Sequence, residues 1–259
     1  MRIDILTLFP EFFERFLDTS IIKRAISKDA VEVKVHNIRD FTLDKNGRVD
    51  DYPLGGGAGL VMKCQPVLDC LKSVRKENSF VALTSPRGTV WNQKKAIEYS
   101  KLDHLVLICG HYEGIDERVN KYVDELVSIG DYILTGGEVA TLAICDSIIR
   151  LLDGAITNES LDIESFDNDL LEYPQYTFPR DFEGDLVPDV LLCGNHKVVE
   201  KWRKKEQLKL TKKHRPDLYA KHNFTKEEQK LLQEIEEGND NPKWLIEALE
   251  KGKKFLDKK

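Results

Sequence analysis

Apolar positions in the first 156 residues switch repeatedly between two periods. RIDILTLF (2–9) is a near-continuous apolar run and predicts a buried strand. PEFFERFLDTSIIKRAISKD (10–29) places apolar residues near helical spacing. VEVKVHNI (31–38) alternates strictly and predicts a half-buried strand. DKNGRVDDYPLGGGAGLVM (44–62) has the composition of a loop. QPVLDCLKSVRKEN (65–78) predicts a helix with Pro66 in its first turn. SFVALTS (79–85), HLVLICG (104–110) and a short segment at Tyr132–Leu134 predict strands. NQKKAIEYSK (92–101) and YEGIDERVNKYV (112–123) predict helices between them. EVATLAICDSIIRLLDG (138–154) predicts a long apolar helix ending at Gly154. Such alternation predicts a mainly parallel α/β sheet.

The pattern changes at Thr157. TNESLDIESFDND, to Asp169, is polar and acidic with little periodicity, and predicts a linker. Beyond it no strand pattern stands out. VVEKWRKKEQLKLTKKH, TKEEQKLLQEIEE and PKWLIEALEKGKKFL predict helices. The division is a first domain at 1–156, a linker at 157–169 and a small all-helical domain at 170–259.

Composition narrows the function class. The 259 residues are 41% hydrophobic and 32% charged, with a net charge of −6 and a pI near 5.6. This describes a folded, acidic, globular protein. Any case for nucleic acid must come from local charge. Asp4 breaks the only apolar run near the start, so no signal peptide is predicted. No stretch approaches the roughly 18–20 apolar residues of a membrane span. Cys64, Cys70, Cys109, Cys145 and Cys193 form no CxxC pair, and predict reduced thiols in a cytoplasm.

Four glycine-rich or turn-rich loops carry the candidate chemistry: GGGAG (55–59), SPRG (85–88), GHYEG (110–114) and LTGGE (134–138). The last three each follow an apolar strand candidate. Ligands of open α/β sheets bind beyond the carboxyl ends of the strands, and glycine lets the main chain approach them closely. No GxxxxGK[ST] is present, and GGGAGL does not follow a buried strand directly, so phosphate-loop and dinucleotide readings lack support. Asp116 and Glu117 suit a helix N-terminus; Tyr112 and Glu113 at the strand exit suit a site better. Arg150 reads equally as a cation in the last turn of a helix or as a guanidinium aimed at a pocket. Between Lys197 and Lys226 eleven Lys or Arg face only Glu200, Glu206 and Asp217, a local excess of +8. Trp202 and His214 interleave with that run, as on an RNA-binding surface.

DYPLGGGAG, TSPRG, ICGHYEGIDERV, SIGDYILTGGE, LLEYPQYTFP and LLCGNHKVVEKWR occur in this order. Together they resemble the bacterial tRNA (guanine-N1)-methyltransferase (TrmD) family, from Leu6–Pro10 to about Leu232. Fold rules alone favour an unknotted doubly wound sheet. The resemblance implies a SPOUT-type parallel sheet with a deep C-terminal trefoil knot. It also implies a homodimer whose active sites lie at the subunit interface. The implied reaction moves a methyl group from S-adenosylmethionine to N1 of the guanosine 3′ of the tRNA anticodon.

Carried over by position, the cofactor would meet Leu83, Thr84, Ser85, Pro86, Gly110, Tyr112, Glu113, Ile129, Gly130, Asp131, Tyr132, Ile133, Leu134, Gly136 and Gly137. Arg150 matches the arginine that contacts the target base. The family's catalytic aspartate is matched by Glu164 in Ile163-Glu164-Ser165-Phe166, in a linker one residue shorter, with Asp162 the nearest aspartate. GGGAG stands for GGGPG, and Val139-Ala140 replaces Leu-Pro after GGE. Lys201, Arg203, Lys204, Lys205 and Arg215 are the expected tRNA contacts. Mg²⁺ is also implied, with Glu113 an acidic candidate and no diagnostic ligand spacing. The competing readings are a SPOUT methyltransferase for another nucleoside and a non-catalytic RNA-binding homologue, the latter resting on the Asp-to-Glu change.

Overall fold

The computed structural model describes residues 1–155 and 169–256. The chain divides into two compact units, Met1–Leu161 and Asp162–Lys259. In the first unit β1 (Arg2–Thr7), α1 (Glu11–Leu17), α2 (Ser20–Ser27) and β2 (Glu32–Asn37) are followed by a 3₁₀ turn, Ile38–Phe41. Two short strands, β3 (Asp50–Asp51) and β4 (Val61–Met62), bracket the GGGAG loop. Then come α3 (Cys64–Val74), β5 (Ser79–Val90), α4 (Gln93–Tyr99), β6 (His104–Ile108), a 3₁₀ turn at Glu117–Tyr122, β7 (Glu125–Ser128) and α5 (Glu138–Ile149).

The main sheet runs β2-β1-β6-β5-β7, and every pairing in it is parallel. β1 and β6 are central and buried along nearly their whole length, as their apolar runs require, while edge strand β2 alternates. Strand alternation splits the core into two layers. Ile3, Ile5, Leu105 and Leu107 pack with Phe13, Ile22 and Ile144 on one face. Leu6, Val106 and Ile108 pack with Ile38, Met62, Val67 and Leu71 on the other. Each such side chain contributes roughly 1.5–3 kcal/mol on burial.

Asp4 is a charged residue within this core, with no exposed surface. It accepts hydrogen bonds from Arg2 at 2.6 and 3.0 Å and lies 2.6 Å from His36 Nε2 and 2.7 Å from His104 Nε2. Burial alone would raise its pKa, but these three partners hold it down at about 2.

Several boundaries depart from the sequence reading. The helix expected over 10–29 is two helices, because Thr19 is extended and Ser20 has φ of 47°, outside the right-handed region. The helix expected over 112–123 is a turn and a 3₁₀ segment: Tyr112 has φ of 59°, outside the right-handed region. The strand expected at Tyr132–Leu134 is instead β7, at Glu125–Ser128. Val127 is fully buried beside β5, whereas Tyr132, Ile133 and Leu134 are exposed.

The second unit contains β8 (Asp181–Phe182), β9 (Asp185–Leu186), a 3₁₀ turn at Asp189–Leu192, α6 (His196–His214), α7 (Pro216–Tyr219), α8 (Lys226–Glu236) and α9 (Lys243–Leu256). It is mainly but not wholly helical. β8 and β9 pair as an antiparallel hairpin, with Gly184 N–H donating to the Asp181 carboxylate at 2.9 Å across the turn. Two-residue strands carry too few positions for alternation to reveal them. Leu170, Leu208 and Leu231 form the unit's buried centre, and Thr225 with Glu228 makes a capping box that starts α8.

Candidate active site

The carboxyl ends of β5, β6 and β7 open onto one cavity of about 610 Å³. β5 pairs with β7 up to Thr84, leaves the ladder, and rejoins it at Thr89. Ser85, Pro86 and Arg87 of the intervening segment form one wall. The turn after β6 supplies Gly110–Gly114, and the segment after β7 supplies Ile129, Gly130 and Tyr132–Gly137. Every position matched to the cofactor therefore lines this cavity except Asp131. The GGGAG loop reaches the same place indirectly. Glu113 N–H donates to Leu60 O at 3.0 Å, and Met62 N–H donates to Gly114 O at 2.9 Å, which ties β4 to the turn after β6.

The tightest point is where Gly136 and Gly137 cross the end of β6. Gly137 N–H donates to Gly110 O at 2.7 Å. A Cβ on Gly137 would stand 2.1 Å from Thr84 Oγ1, 2.8 Å from Gly110 N and 3.0 Å from Cys109 Cα. Only glycine lets this backbone lie so close to the Cys109–Gly110 backbone and the Thr84 hydroxyl. Immediately beyond, Glu138 is 3% exposed at the start of α5 and accepts from Thr7 Oγ1 at 2.8 Å. Its other oxygen lies 3.9 Å from His111 Nε2, and the His111 ring packs on Phe9 at 4.9 Å.

Tyr112 sits at the cavity in a left-handed conformation, the kind of local strain that concentrates at functional sites. Burial and a hydrogen bond to Asp50 push its phenol above the ordinary range. Glu117 pairs with Arg87 at 2.9 Å, and that hydrogen bond with one from Asn120 lowers its pKa. Asp116 caps the 3₁₀ turn by accepting from Arg118 N–H. The rim thus carries Arg87 beside the carboxylates of Glu113 and Glu117, charges of both signs.

Four thiols are the wrong groups for covalent catalysis. Burial raises the pKa of Cys64, Cys70, Cys109 and Cys145, the second and fourth to about 12. A thiolate nucleophile needs the opposite shift.

Arg150 lies elsewhere. It is half-buried at the carboxyl end of α5 and does not line the cavity. α5 begins at the cavity, where Ala140 lines it, and twelve helical residues span about 18 Å. Glu164 and Asp162 lie outside the described residues. Among the described residues no group of three or more His, Cys, Asp or Glu is gathered as a metal site.

The basic run on α6 is largely matched by acids brought in by α8 and the turn after it. Lys201 lies 3.8 Å and Lys205 3.3 Å from Glu234, Lys204 lies 3.5 Å from Glu228, and Lys212 lies 3.4 Å from Glu236. Lys209 pairs with Glu206 and Asp240, and Arg215 with Asp217. Lys205 is only 3% exposed and donates to Asn239 O at 2.6 Å, so it braces the unit from inside. Lys197, Lys213 and Lys221 are exposed and meet no carboxylate among the described residues. His111 and Glu138 stand in the GHYEG and LTGGE loops, but the sequence reading gave them no role, because their approach and the burial of Glu138 show only in three dimensions.

Fold and site define an α/β protein with a cavity beyond the carboxyl edge of its parallel sheet, the place where sheets of this kind bind ligands. The model for the tRNA (guanine-1)-methyltransferase TrmD family matches residues 1–221. The chain is 54% identical over 236 residues to a tRNA (guanine-N(1)-)-methyltransferase of Dictyoglomus turgidum, covering 91% of this chain and 96% of that protein. It is 53% identical over 237 residues to a protein of the same name from Clostridium botulinum (strain 657 / Type Ba4), covering 91% and 98%. The chain belongs to the tRNA (guanine-1)-methyltransferase family. No helix among the described residues is long and apolar enough to cross a membrane.

Proposed function

We propose that this protein transfers a methyl group from S-adenosylmethionine to N1 of the guanosine 3′-adjacent to the tRNA anticodon. The observation that carries this reading is the single cavity formed by three strand-end loops in a chain of this family. Its volume of about 610 Å³ suits a nucleoside with an amino-acid arm. Rim charges of both signs, Arg87 with Glu113 and Glu117, suit a ligand that carries a sulfonium, an ammonium and a carboxylate. S-adenosylmethionine, when bound, supplies the electrophilic methyl group.

The protein's own work is proton removal, charge stabilisation and alignment. N1 of guanine carries a proton and is a poor nucleophile. A carboxylate of the 157–169 linker takes that proton as the methyl transfers, and Glu164 or Asp162 is the candidate base. Negative charge then builds toward O6, where Arg150 stabilises it. No thiolate adduct is needed, in keeping with the raised thiols. Mg²⁺ is part of this proposal without an assigned site.

Arg150 also argues for a site made by two copies. It stands ten residues along α5 from Ala140, which lines the cavity of its own chain, about 15 Å, beyond the reach of an arginine side chain. A homodimer that sets Arg150 of one protomer at the cavity of the other removes the difficulty. The exposed apolar side chains Leu54, Ile133 and Tyr52 support such an interface. A trefoil knot is supported by the passage of Gly136–Gly137 against Thr84 and Cys109–Gly110. In this reading 1–156 holds the cofactor, the 157–169 linker brings the base, and 170–259 contacts tRNA through Lys201, Arg203, Lys204 and Arg215. Five free cysteines fit a cytoplasmic location.

The test is to incubate the protein with labelled S-adenosylmethionine and tRNA transcripts carrying G or A next to the anticodon. N1-methylguanosine in the G transcripts only is expected; no transfer, or transfer to another nucleoside, overturns the reading. Comparing Glu164→Gln with Asp162→Asn identifies the base as the one whose loss abolishes turnover while both ligands still bind.

A further inference from the structure

The LLEYPQYTFP segment has a feature that methyl transfer does not use. With α6 and the residues before it, the segment encloses a second cavity of about 400 Å³ in the C-terminal unit. Tyr173, Tyr176, Phe178, Arg180 and Arg203 line it, with an aliphatic wall behind. Among the described residues that line it none is a carboxylate, and none is shared with the strand-end cavity.

Arg203 is the informative group. Its guanidinium carbon lies 4.6 Å from the centre of the Tyr173 ring. Its Nε is buried and has no hydrogen-bond partner. Leaving a buried charged donor unpaired is costly, and such groups call for a ligand or water. Meanwhile Phe178 is 78% and Tyr176 49% exposed, so two open aromatic side chains line the same cavity as a guanidinium that lies over a third. The missing partner is therefore planar, has apolar faces, offers hydrogen-bond acceptors at its edge and tolerates positive charge. A nucleobase on a phosphate backbone has all four properties. A cation or an apolar helix has at most one of them.

We propose that this cavity takes one unstacked base of the RNA substrate, stacked on the open aromatic faces and accepting a hydrogen bond from Arg203 Nε. The inference rests on the reading that the protein acts on tRNA, and adds a second point of base contact outside the methylation site. It also divides the basic helix. Arg203 reads a base edge, whereas Lys201 and Lys204, half-buried elsewhere on α6, face phosphates.

The experiment measures affinity for a G-containing tRNA transcript at several salt concentrations, for the intact protein, Phe178→Ala, Phe178→Tyr and Arg203→Met. Loss of one base–aromatic stack weakens binding by roughly tenfold. Phe178→Ala is expected to show that loss, with the slope of log K against log salt unchanged. Phe178→Tyr is expected to retain affinity, and S-adenosylmethionine affinity without RNA to be the same in all. Arg203→Met is expected to weaken binding similarly at constant slope; a slope reduced by about one would put the guanidinium on phosphate and overturn the assignment. Phe178→Ala binding like the intact protein, while the latter methylates the transcript, overturns the base pocket alone. A Phe178→Ala change confined to sedimentation behaviour would show a second copy on this face and also overturns it. Phe178-dependent RNA binding without any methylation would overturn the enzymatic reading and leave the pocket standing.

Discussion

Replacing Gly137 by alanine puts a methyl group where three atoms already stand. The nearest would be Thr84 Oγ1 at 2.1 Å, then Gly110 N at 2.8 Å and Cys109 Cα at 3.0 Å. The hydroxyl can rotate away, but the other two are backbone of the turn leaving β6. Over-packing of this kind costs typically ~1–3 kcal/mol. The upper end applies, because the backbone neighbours cannot change rotamer. Separating the two strands of chain also breaks the 2.7 Å hydrogen bond from Gly137 N–H to Gly110 O, worth about 1 kcal/mol. A loss of about 4 kcal/mol in a unit of this size lowers Tm by roughly 8–16 °C.

The functional effect should exceed the stability effect, because the displaced atoms form the cavity wall. Calorimetric titration of S-adenosylmethionine into folded Gly137→Ala, below its melting range, is expected to show affinity reduced at least tenfold. Gly154→Ala is the control. A Cβ there meets nothing within 4 Å, and the only penalty is its φ of 85°, about 1–2 kcal/mol. It should lose a little stability and no affinity. Adding Thr84→Ala to Gly137→Ala should recover only part of the stability, since the backbone neighbours remain. A Gly137→Ala protein that melts and binds like the intact one would refute the reasoning, because the crossing would then be loose.

Asp4 supplies a pH dependence with a definite sign. Its carboxyl is held at about 2 in the fold against an ordinary 3.8, so its contribution is fully present above pH 4 and is lost as pH falls toward 2. The gap is worth about 2 kcal/mol, and urea unfolding of the intact protein and Asp4→Asn should converge by that amount between pH 5 and pH 2; a constant difference would count against the pairing. Lys205→Met should lower Tm yet leave the salt slope of tRNA binding alone, whereas Lys204→Gln should reduce that slope by about one with Tm nearly unchanged. Ile144→Ala, at a fully buried position under the sheet, should cost about 2–5 kcal/mol; a loss under 1 kcal/mol would mean that the α5 contact is not what holds this face.

The central strands were legible because burial on both faces writes itself as an unbroken apolar run, as in HLVLI of β6. The edge of the sheet was not. β7 contributes four residues, one fully buried and one nearly so, and its flank YEGIDERVNKYV has helical spacing that the left-handed Tyr112 defeats. Charge was legible in amount and misleading in place. Eleven cations in thirty residues suggested an open surface, yet α8 returns along α6 and sets Glu228, Glu234 and Glu236 against it. Sequence distance hides that compensation, since the acids lie 24 or more positions from their partners. The loops of the candidate site announced themselves as glycines, but nothing in GHYEG or LTGGE says that they touch.

That contact explains why the site and the core of the first unit are one structure. Glu138 begins α5, and its carboxylate is held by Thr7 at the end of β1 and faces His111 in the turn after β6. α5 then continues into the sheet through Ile144 and Ile148, both fully buried. Moving the glycine crossing therefore moves the first turn of a core helix, and shifting that helix opens the cavity. A ligand that fills the cavity should for the same reason stabilise the whole unit rather than one loop. Bound at a hundred times its Kd it adds about 2.7 kcal/mol, and backbone amides of β1 and β6, far from the ligand, should gain hydrogen-exchange protection along with those of Gly110 and Gly137. Protection confined to the loops would show that crossing and core move independently.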